Sequence, residues 1–283
     1  MKISVIVSVY NRFEYALNTL KFLKKQNIQP YEVIFADDGS KGSLKEFLKD
    51  ELKNCKFKVK HVYQEDLGFR KCKSCNNAVI ESEGDYLIFL DQDAIFPETL
   101  IEDFIRLSSR ETFSILRVLW SLDEERKELQ ELIETEAKYS DLVKIINKYE
   151  KKKLRKHLLR DKYNNLRYRL KLRDRGAGLM GIGFGVYKDS YNKINGYDED
   201  YKGWGGEDAD LGLRLYKLGL KSITFTTNPP AIHMCHPLDP TKTGDKNISM
   251  FKEKKKEIKL DKFTCKYGLN NRKDKDGYLY EEI

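Results

Sequence analysis

Two carboxylates with one residue between them, Asp91 and Asp93, directly follow the apolar segment Tyr86–Leu90. Hard oxygen ligands of this kind suit Mg²⁺ or Mn²⁺, and such ions are commonly shared between one or two carboxylates and substrate phosphates. The alternative is a pair of solvated turn residues, but the position at the end of a strand favours a metal site. We expect Asp93 to bind the ion directly and Asp91 to reach a sugar or ribose.

Two histidines from a distant segment, His233 and His236, can add imidazole ligands to this site. Residues three apart can share one face of a helix, and either imidazole could complete an Mn²⁺ shell. The competing interpretation is a structural histidine that caps the end of a strand. Cys72 and Cys75 form a CxxC pair without a second pair, which favours packing on a helix over metal binding.

A second acidic cluster, Glu207, Asp208 and Asp210, follows the glycine-rich turn at 203–206 and begins a predicted helix. These carboxylates could merely complement the helix dipole. However, Trp204 offers an apolar platform of the kind on which sugar rings stack, and the glycines allow a backbone to approach a ligand. A carboxylate placed against a hydroxyl of an acceptor can act as a general base.

A further glycine-rich segment, Gly176–Gly185, lacks the Lys-Ser/Thr pair of a phosphate-binding P-loop. We therefore interpret its glycines as positions where the backbone packs closely near a ligand.

The first third of the chain alternates apolar runs with helical patterns. The runs are Ile3–Val9, Glu32–Ala36, Phe57–Tyr63 and Tyr86–Leu90. Strands that alternate with helices indicate βαβ units and a mostly parallel sheet, and ligands of such sheets sit beyond the carboxyl ends of the strands. Acidic pairs, Asp37 with Asp38 and Asp91 with Asp93, occupy two of those ends. The sequence therefore predicts an α/β fold with a ligand site at that edge.

Residues 122–174 change to a highly charged helical pattern, predicted to form one or two inserted helices. Fourteen Lys/Arg and three Asp/Glu lie between Lys144 and Arg175, an excess of +11 within a chain of net charge +8. The remainder of the chain is therefore slightly acidic. The block is either a solvated helix face or a contact for an anionic acceptor or an anionic membrane, the last through residues 144–175. Nucleic acid is not an expected partner, because no recognised nucleic-acid motif accompanies the basic residues.

Five cysteines, an odd number, and an N-terminus that does not read as a secretion signal favour a reducing compartment. There is also no run of about 18 apolar residues that would indicate a spanning helix. We expect a cytoplasmic protein, either free or peripheral at the inner face of the membrane.

Six segments together resemble the family 2 glycosyltransferases of the GT-A fold, with a galactosyltransferase-like C-terminal region as in β1,4-galactosyltransferases and bacterial chondroitin polymerases. They are SVIVSVYNR (Ser4–Arg12), FADDGS (Phe35–Ser40), EDLGFRKCKSCN (Glu65–Asn76), FLDQDAIFP (Phe89–Pro97), GYDEDYKGWGGEDADLGLRL (Gly196–Leu215) and AIHMCHP (Ala231–Pro237). The resemblance implies a Rossmann-like, mostly parallel sheet flanked by helices. It also implies an inverting, UDP-sugar-dependent transfer of a hexose or N-acetylhexosamine to a saccharide or lipid-linked saccharide.

The resemblance further implies a role for each matching residue. The nucleotide-sugar would contact Asp38, which pairs with the uracil edge, and Val9, Tyr10, Asn11, Arg12, Arg70, Asn76 and Asp91. Asp93, in the position of the DxD motif, would bind Mn²⁺ (or Mg²⁺) together with His236 and His233. The acceptor would contact Trp204, Glu207 and Asp208, with Asp208 as the catalytic base.

The predicted organisation has four parts. Residues 1–121 form the nucleotide-sugar-binding half, 122–174 the insertion, 175–240 the acceptor-binding and catalytic half, and 241–283 a basic, mobile or peripheral tail. Two other classes of function remain open at this point. One is a nucleotidylyltransferase that makes nucleotide-sugars, although the first strand is not followed by a glycine-rich, basic loop. The other is a non-catalytic, basic nucleic-acid-binding protein.

Overall fold

The computed structural model describes residues 1–237 and 245–283. Its first part alternates strands with helices as the sequence predicts. The strands are β1 (Ile3–Val9), β2 (Glu32–Asp37), β3 (Lys58–Tyr63) and β4 (Tyr86–Asp91), and the helices are α1 (Phe13–Lys24), α2 (Leu44–Leu52) and α3 (Lys71–Ile80). Neighbouring strands of this set pair in parallel.

The middle of the chain adds short strands and the inserted helices. These are β5 (Ala94–Ile95), α4 (Leu100–Leu107), β6 (Thr112–Leu116), β7 (Leu119–Trp120), α5 (Asp123–Glu134), α6 (Tyr139–Ile145) and α7 (Lys148–Arg169). The remaining elements are β8 (Gly183–Tyr187), α8 (Lys188–Lys193), α9 (Glu207–Lys217), β9 (Lys221–Phe225), β10 (Ile232–His233), α10 (Asp245–Glu257) and β11 (Leu279–Glu282).

The main sheet has the strand order β11-β3-β2-β1-β4-β8-β6-β9. Strand β8 runs antiparallel to both of its neighbours, β4 and β6. The segment that enters β8 therefore meets the carboxyl end of β4, where the Asp91 amide donates to the Ile182 carbonyl at 3.2 Å. This one reversal places residues from two distant parts of the chain at the same edge of the sheet.

A small second sheet, β5-β10-β7, joins the segment after β4 to a segment near residue 233. In it His233 pairs with Ala94, the residue after Asp93. The Met234 amide also donates to the Asp93 carbonyl at 2.9 Å. The backbone itself therefore holds the predicted metal ligands side by side.

The core lies on both faces of the main sheet. Val5 and Val7 of β1 pack into a cluster under α1 and α4, while Ile6 of the same strand packs into a cluster under α3 and α9. Because β1 and β2 are buried on both faces, they read as continuous apolar runs instead of alternating ones. The predicted α/β fold with a mostly parallel central sheet is confirmed.

Residues 122–174 form three helices and not the one or two that the sequence predicts. The chain breaks between α5 and α6, where Glu136 has a positive φ of 52°, and again before α7, where the Asn147 side chain accepts from the Tyr149 amide at 2.8 Å. Leu129, Ile133 and Leu142 of α5 and α6 are buried in one cluster with Ile232 of β10. The insertion therefore supports the strand that carries His233.

Residues 245–283 pack on the main domain, which does not fit the expectation of a mobile or peripheral tail. Helix α10 lies against α9, and β11 pairs antiparallel with β3 at the edge of the sheet. The contacts include the ionic bridges of Lys254 to Asp198 and Asp200, and apolar packing of Met250, Phe251 and Leu269 against the core. These apolar side chains are few and scattered, so the sequence shows little apolar periodicity here. The predicted boundary at 240/241 lies outside the described residues.

Among the residues that the structure describes, no helix combines the length and the apolar character needed to cross a membrane.

The buried ion pair between Arg117 and Asp161 fastens α7 to the sheet, with Nε and Oδ2 2.7 Å apart. Asp161→Asn should lower the free energy of unfolding by about 3 kcal/mol, because it leaves a buried guanidinium without its counter-charge. Urea unfolding measures the change. The matched control is Asp141→Asn, which removes an exposed pair with Lys144 in the same insertion and should have an effect below about 1 kcal/mol. Equal effects of the two variants would contradict this account.

Candidate active site

A cavity of about 610 Å³ opens at the carboxyl ends of β1, β2 and β4. Its other walls are the segment 179–182 before β8 and the turn that leads into α9. This volume lies within the range of small-molecule and cofactor sites. Most of the predicted site residues line it, namely Val9, Tyr10, Arg12, Asp38, Asp91, Asp93, Trp204, Glu207, Asp208, His233 and His236.

Asp93, His233 and His236 form one compact group at this cavity, with ligand atoms that all lie within 4.8 Å of one another. The Asp93 oxygens Oδ1 and Oδ2 are 3.2 Å and 3.0 Å from Nε2 of His233 and His236, respectively. His233 lies at the end of β10 and His236 in the segment after it. The prediction that the two histidines share one face of a helix is therefore wrong. Strand pairing brings the imidazoles together instead.

The tautomer of His236 argues for a cation at this group. Its Nδ1 is 2.9 Å from the Pro237 carbonyl, which can only accept, so Nδ1 carries the hydrogen and donates. In the neutral ring Nε2 then presents a lone pair to the Asp93 carboxylate, which is repulsive unless a proton or metal ion lies between them. Among residues 1–237 and 245–283, Asp93 Oδ1 and His233 Nδ1 are buried without a hydrogen-bond partner. The donor set fits a divalent cation.

Asp91 is held by two donors and does not join the histidine group. The Ser8 hydroxyl donates to its Oδ1 at 2.8 Å, and the Lys71 ammonium donates to the same oxygen at 2.5 Å. Burial alone would lower the pKa of Lys71, but Asp91 and then Asp208 raise it well above its usual value. Lys71 is therefore a fixed positive charge between two carboxylates of the cavity.

Asp208 is oriented by two hydrogen bonds on the opposite wall. The Tyr197 hydroxyl donates to Oδ1 at 2.8 Å, and the Gly181 amide donates to Oδ2 at 2.7 Å. Burial raises the pKa of Asp208, although Lys71 opposes this shift. A carboxylate with a raised pKa and a fixed orientation has the properties of a general base.

Glu207 lies beside Asp208 at the start of α9 and is buried. Burial, followed by repulsion from Asp208, raises its pKa to about 7. Its Oε2 has no hydrogen-bond partner in the described part of the chain. An unpaired acceptor on a cavity wall is suited to bind a hydroxyl of a ligand.

The turn before α9 owes its shape to glycine and to the C-terminal region. Gly206 has φ +89°, and a Cβ there would stand 2.9 Å from the Asn247 carbonyl oxygen. Asn247, on α10, also donates from its side chain to the Gly203 carbonyl at 2.8 Å. These contacts leave Trp204 at the cavity rim with 45% of its surface exposed. Its ring is available to a ligand.

The nucleotide end of the cavity contains Asp38, at the carboxyl end of β2. Burial raises its pKa to about 7. Its carboxylate accepts from the Gln64 side chain and from the Arg70 amide, each at 2.6 Å. Asn11 and Arg12 both have positive φ, near 50°, which is costly for residues other than glycine and typical of functional loops.

Three of the predicted nucleotide-binding residues are not in the cavity lining. Asn11 holds the adjacent turn, because its side chain accepts from the Lys41 amide at 3.0 Å. The Arg70 guanidinium turns away to Asp276, and the Asn76 amide is buried against Tyr197 and Glu199. These side chains make contacts within the protein, and their contact with a nucleotide stays a prediction.

Lys71 and Gly181 line the cavity and contact its carboxylates, and neither was predicted from the sequence. Helix α3 begins at Lys71, and adjacent helical side chains point about 100° apart. The resemblance implies Arg70 as a nucleotide contact, whereas its neighbour Lys71 is the residue that lines the cavity. A Cβ on Gly181 would stand 2.8 Å from both Lys71 Nζ and Asp208 Oδ2. The glycine-rich segment did signal such a close approach, without identifying the position.

Solved structures share this fold. A mannosyltransferase from Pyrobaculum calidifontis, solved with GDP-Man and Mn²⁺, superposes with a TM-score of 0.56 at 13% identity, covering 85% of this chain and 58% of its own. Staphylococcus aureus TarS (residues 1–349), solved with UDP-GlcNAc, gives 0.56 at 16% identity, covering 89% of this chain and 64% of its own. The fold is the GT-A fold of glycosyltransferases.

The family follows from the sequence matches. The model of glycosyl transferase family 2 matches residues 4–179, and one described as the N-terminal domain of galactosyltransferase matches residues 163–237. The chain belongs to glycosyl transferase family 2. It is 25% identical over 227 residues to the chondroitin synthase of Escherichia coli, covering 77% of this chain and 32% of that protein. The chain spans about half or less of the length of the first curated relatives it matches.

The histidine group predicts that Mn²⁺ binds the isolated protein. His236→Ala should weaken Mn²⁺ binding at least about tenfold, because it removes one of three ligands. Titration calorimetry, or the electron paramagnetic resonance signal of free Mn²⁺, measures this without any turnover. His157→Ala is the control, since this histidine lies on α7 outside the cavity lining. Unchanged affinity in His236→Ala would rule out the assigned ligand set.

Proposed function

We propose that this protein is an inverting, metal-dependent glycosyltransferase that moves a hexose or N-acetylhexosamine from a UDP-sugar to a saccharide hydroxyl. The supporting observation is that Asp93, with its two histidines, and Asp208 line one cavity, in which Lys71 is paired with Asp91 and lies near Asp208. One wall thus has ligands for a metal ion, and the other has an oriented base.

The donor is assigned from the nucleotide end and the metal group. A divalent cation held by Asp93, His233 and His236 would stabilise the negative charge on the departing diphosphate. Two imidazole nitrogens favour Mn²⁺ over Mg²⁺, which prefers an all-oxygen shell. A uridine nucleotide is supported by Asp38 at the position where the family pairs with uracil, and by TarS, whose structure contains UDP-GlcNAc.

The acceptor is assigned to the wall formed by Trp204, Glu207 and Asp208. A sugar ring stacked on Trp204 brings a hydroxyl to Asp208, which removes its proton as the oxygen attacks the anomeric carbon. The Tyr197 hydroxyl and the Gly181 amide keep the carboxylate aimed during this step. A single displacement inverts the anomeric centre, so an α-linked donor gives a β-glycoside. The named relative, a chondroitin synthase, supports a saccharide or lipid-linked saccharide acceptor in bacterial surface polysaccharide synthesis.

Asp208→Asn should reduce transfer by about 100- to 10,000-fold, because it removes the base while preserving the shape of the side chain. The affinity for UDP with Mn²⁺ should stay within about twofold of the wild type, since Asp208 is assigned to the acceptor and not to the donor. Initial rates from a screen of UDP-sugars, together with UDP titrations, separate the two effects. Asp123→Asn, an exposed carboxylate at the start of α5, is the control. Near-normal transfer by Asp208→Asn would eliminate the assigned base, and a product with retained anomeric configuration by NMR would eliminate inversion.

Lys71 generates a prediction about pH. Its positive charge lowers the pKa of Asp208, so Lys71→Met should raise the apparent pKa of the Glu207–Asp208 pair further. The base must be deprotonated to act, so the acidic limb of the kcat/KM profile should move to higher pH, by about 1 unit. Lys71→Arg keeps the positive charge, so the acidic limb of its kcat/KM profile should lie at the wild-type pH. A profile that shifts equally in both variants would mean that shape, and not charge, sets this dependence.

A further inference from the structure

Helix α7 separates its charges between two faces. It contains ten Lys/Arg and only two acids, Glu150 and Asp161. Both acids are buried, with Asp161 paired to Arg117 and Glu150 to Lys153. The acids therefore face the protein, and the outer face of the helix is exclusively basic among its charged residues.

The same outer face carries an apolar stripe. Leu159, Tyr163, Leu166 and Leu170 recur at intervals of three or four residues, which places them on one side of the helix. The three leucines have 66%, 54% and 59% of their surface exposed, and Tyr163 has 60%. Leu172, just beyond the helix, is 63% exposed. Isolated exposed leucines are ordinary, but an aligned series is typical of an interaction surface.

Basic residues flank this stripe on both sides. At 100° per residue, Arg155, Lys162 and Arg169 fall on one flank, and Arg160 and Arg167 fall on the other. All of the first group are exposed. The Arg167 guanidinium lies over the Tyr163 ring, 5.6 Å from its centroid. A line of apolar side chains between two rows of cations matches a helix that lies in the plane of a membrane interface.

We propose that the outer face of α7 docks the protein on an anionic lipid bilayer. The leucines would enter the acyl boundary, while the flanking cations would contact the lipid phosphates. A second copy of the chain would present the same positive face and be repelled. Nucleic acid would be attracted by the cations but would leave the leucines without a partner, because only Tyr163 of the stripe can stack on a base.

The inner face of α7 connects this surface to the cavity wall. The Asn165 side chain accepts from the Ala177 amide at 2.7 Å, and Arg117, the partner of Asp161, donates to the Gly178 carbonyl at 2.8 Å. These residues lead directly into 179–182, which line the cavity. Docking would therefore hold residues 179–182, whose Gly181 amide contacts Asp208, at a fixed position relative to the bilayer. The surface itself is independent of the proposed reaction.

The test is co-sedimentation of the purified protein with vesicles of phosphatidylcholine alone or with about 30 mol% phosphatidylglycerol, which makes the surface anionic. The wild type should bind the anionic vesicles and not the neutral ones. The triple variant L159Q/L166Q/L170Q should bind the anionic vesicles at least about tenfold more weakly. The variant R155Q/K162Q/R169Q should also bind the anionic vesicles at least about tenfold more weakly. Raised salt should weaken the binding of the wild type by a similar factor.

The matched control is K49Q/K127Q/K256Q, which removes the same net charge at exposed lysines on α2, α5 and α10. It should bind the vesicles like the wild type. Circular dichroism melts check that each variant is folded, and quenching of a Tyr163→Trp fluorophore by brominated lipid reports insertion of the stripe directly.

Four outcomes would overturn the proposal. The first is a wild type that does not bind the anionic vesicles. The second is a control variant that loses as much binding as the variants of α7. The third is a leucine variant that keeps its vesicle affinity but loses self-association in sedimentation velocity. The fourth is a wild type that prefers RNA to the vesicles at equal salt. Either of the last two results would assign the stripe to another partner.

Discussion

The arrangement of the cavity depends on one constraint: the charge of its partly buried carboxylates must be neutralised. Five acids line one cavity, Asp38, Asp91, Asp93, Glu207 and Asp208. Carboxylates this close and this buried raise one another's pKa unless cations lie among them. The Lys71 ammonium is paired with Asp91 and lies near Asp208, and two imidazoles face Asp93. The negative charge that remains fits the divalent cation that we propose at Asp93, and such a cation would help the cavity to accept a negatively charged substrate.

Much of this site could be predicted from sequence because its acids stand at the ends of apolar strands. In a parallel sheet those ends share one edge, so Asp38 and Asp93 had to lie near each other whatever the details of packing. The sequence pattern does not distinguish adjacent residues at the start of a helix. Arg70 and Lys71 are both basic and adjacent, and only the start of α3 decides which of them faces the cavity. Pattern reading does not fix a helix boundary that closely.

Other features could not be predicted because they depend on contacts between distant segments. His233 reaches Asp93 through a two-residue strand, which is too short to leave a period in the sequence. Helix α10 supports the Trp204 turn through the side chain of Asn247, and β11 completes the sheet with four exposed residues. Contacts with distant segments stabilise these elements, and their own sequences show no clear apolar period. Local composition therefore predicts a tail where the structure has packed elements.

The inward orientation of Glu150 and Asp161 has an electrical consequence for the whole molecule. The basic stretch 144–175 carries an excess of +11 while the net charge is +8, so the centre of positive charge is displaced towards α7. The protein is therefore a permanent electric dipole. Near any charged boundary it experiences a torque before it makes contact, so collisions are not random in orientation. This alignment is lost in concentrated salt, where the field extends only a few ångströms.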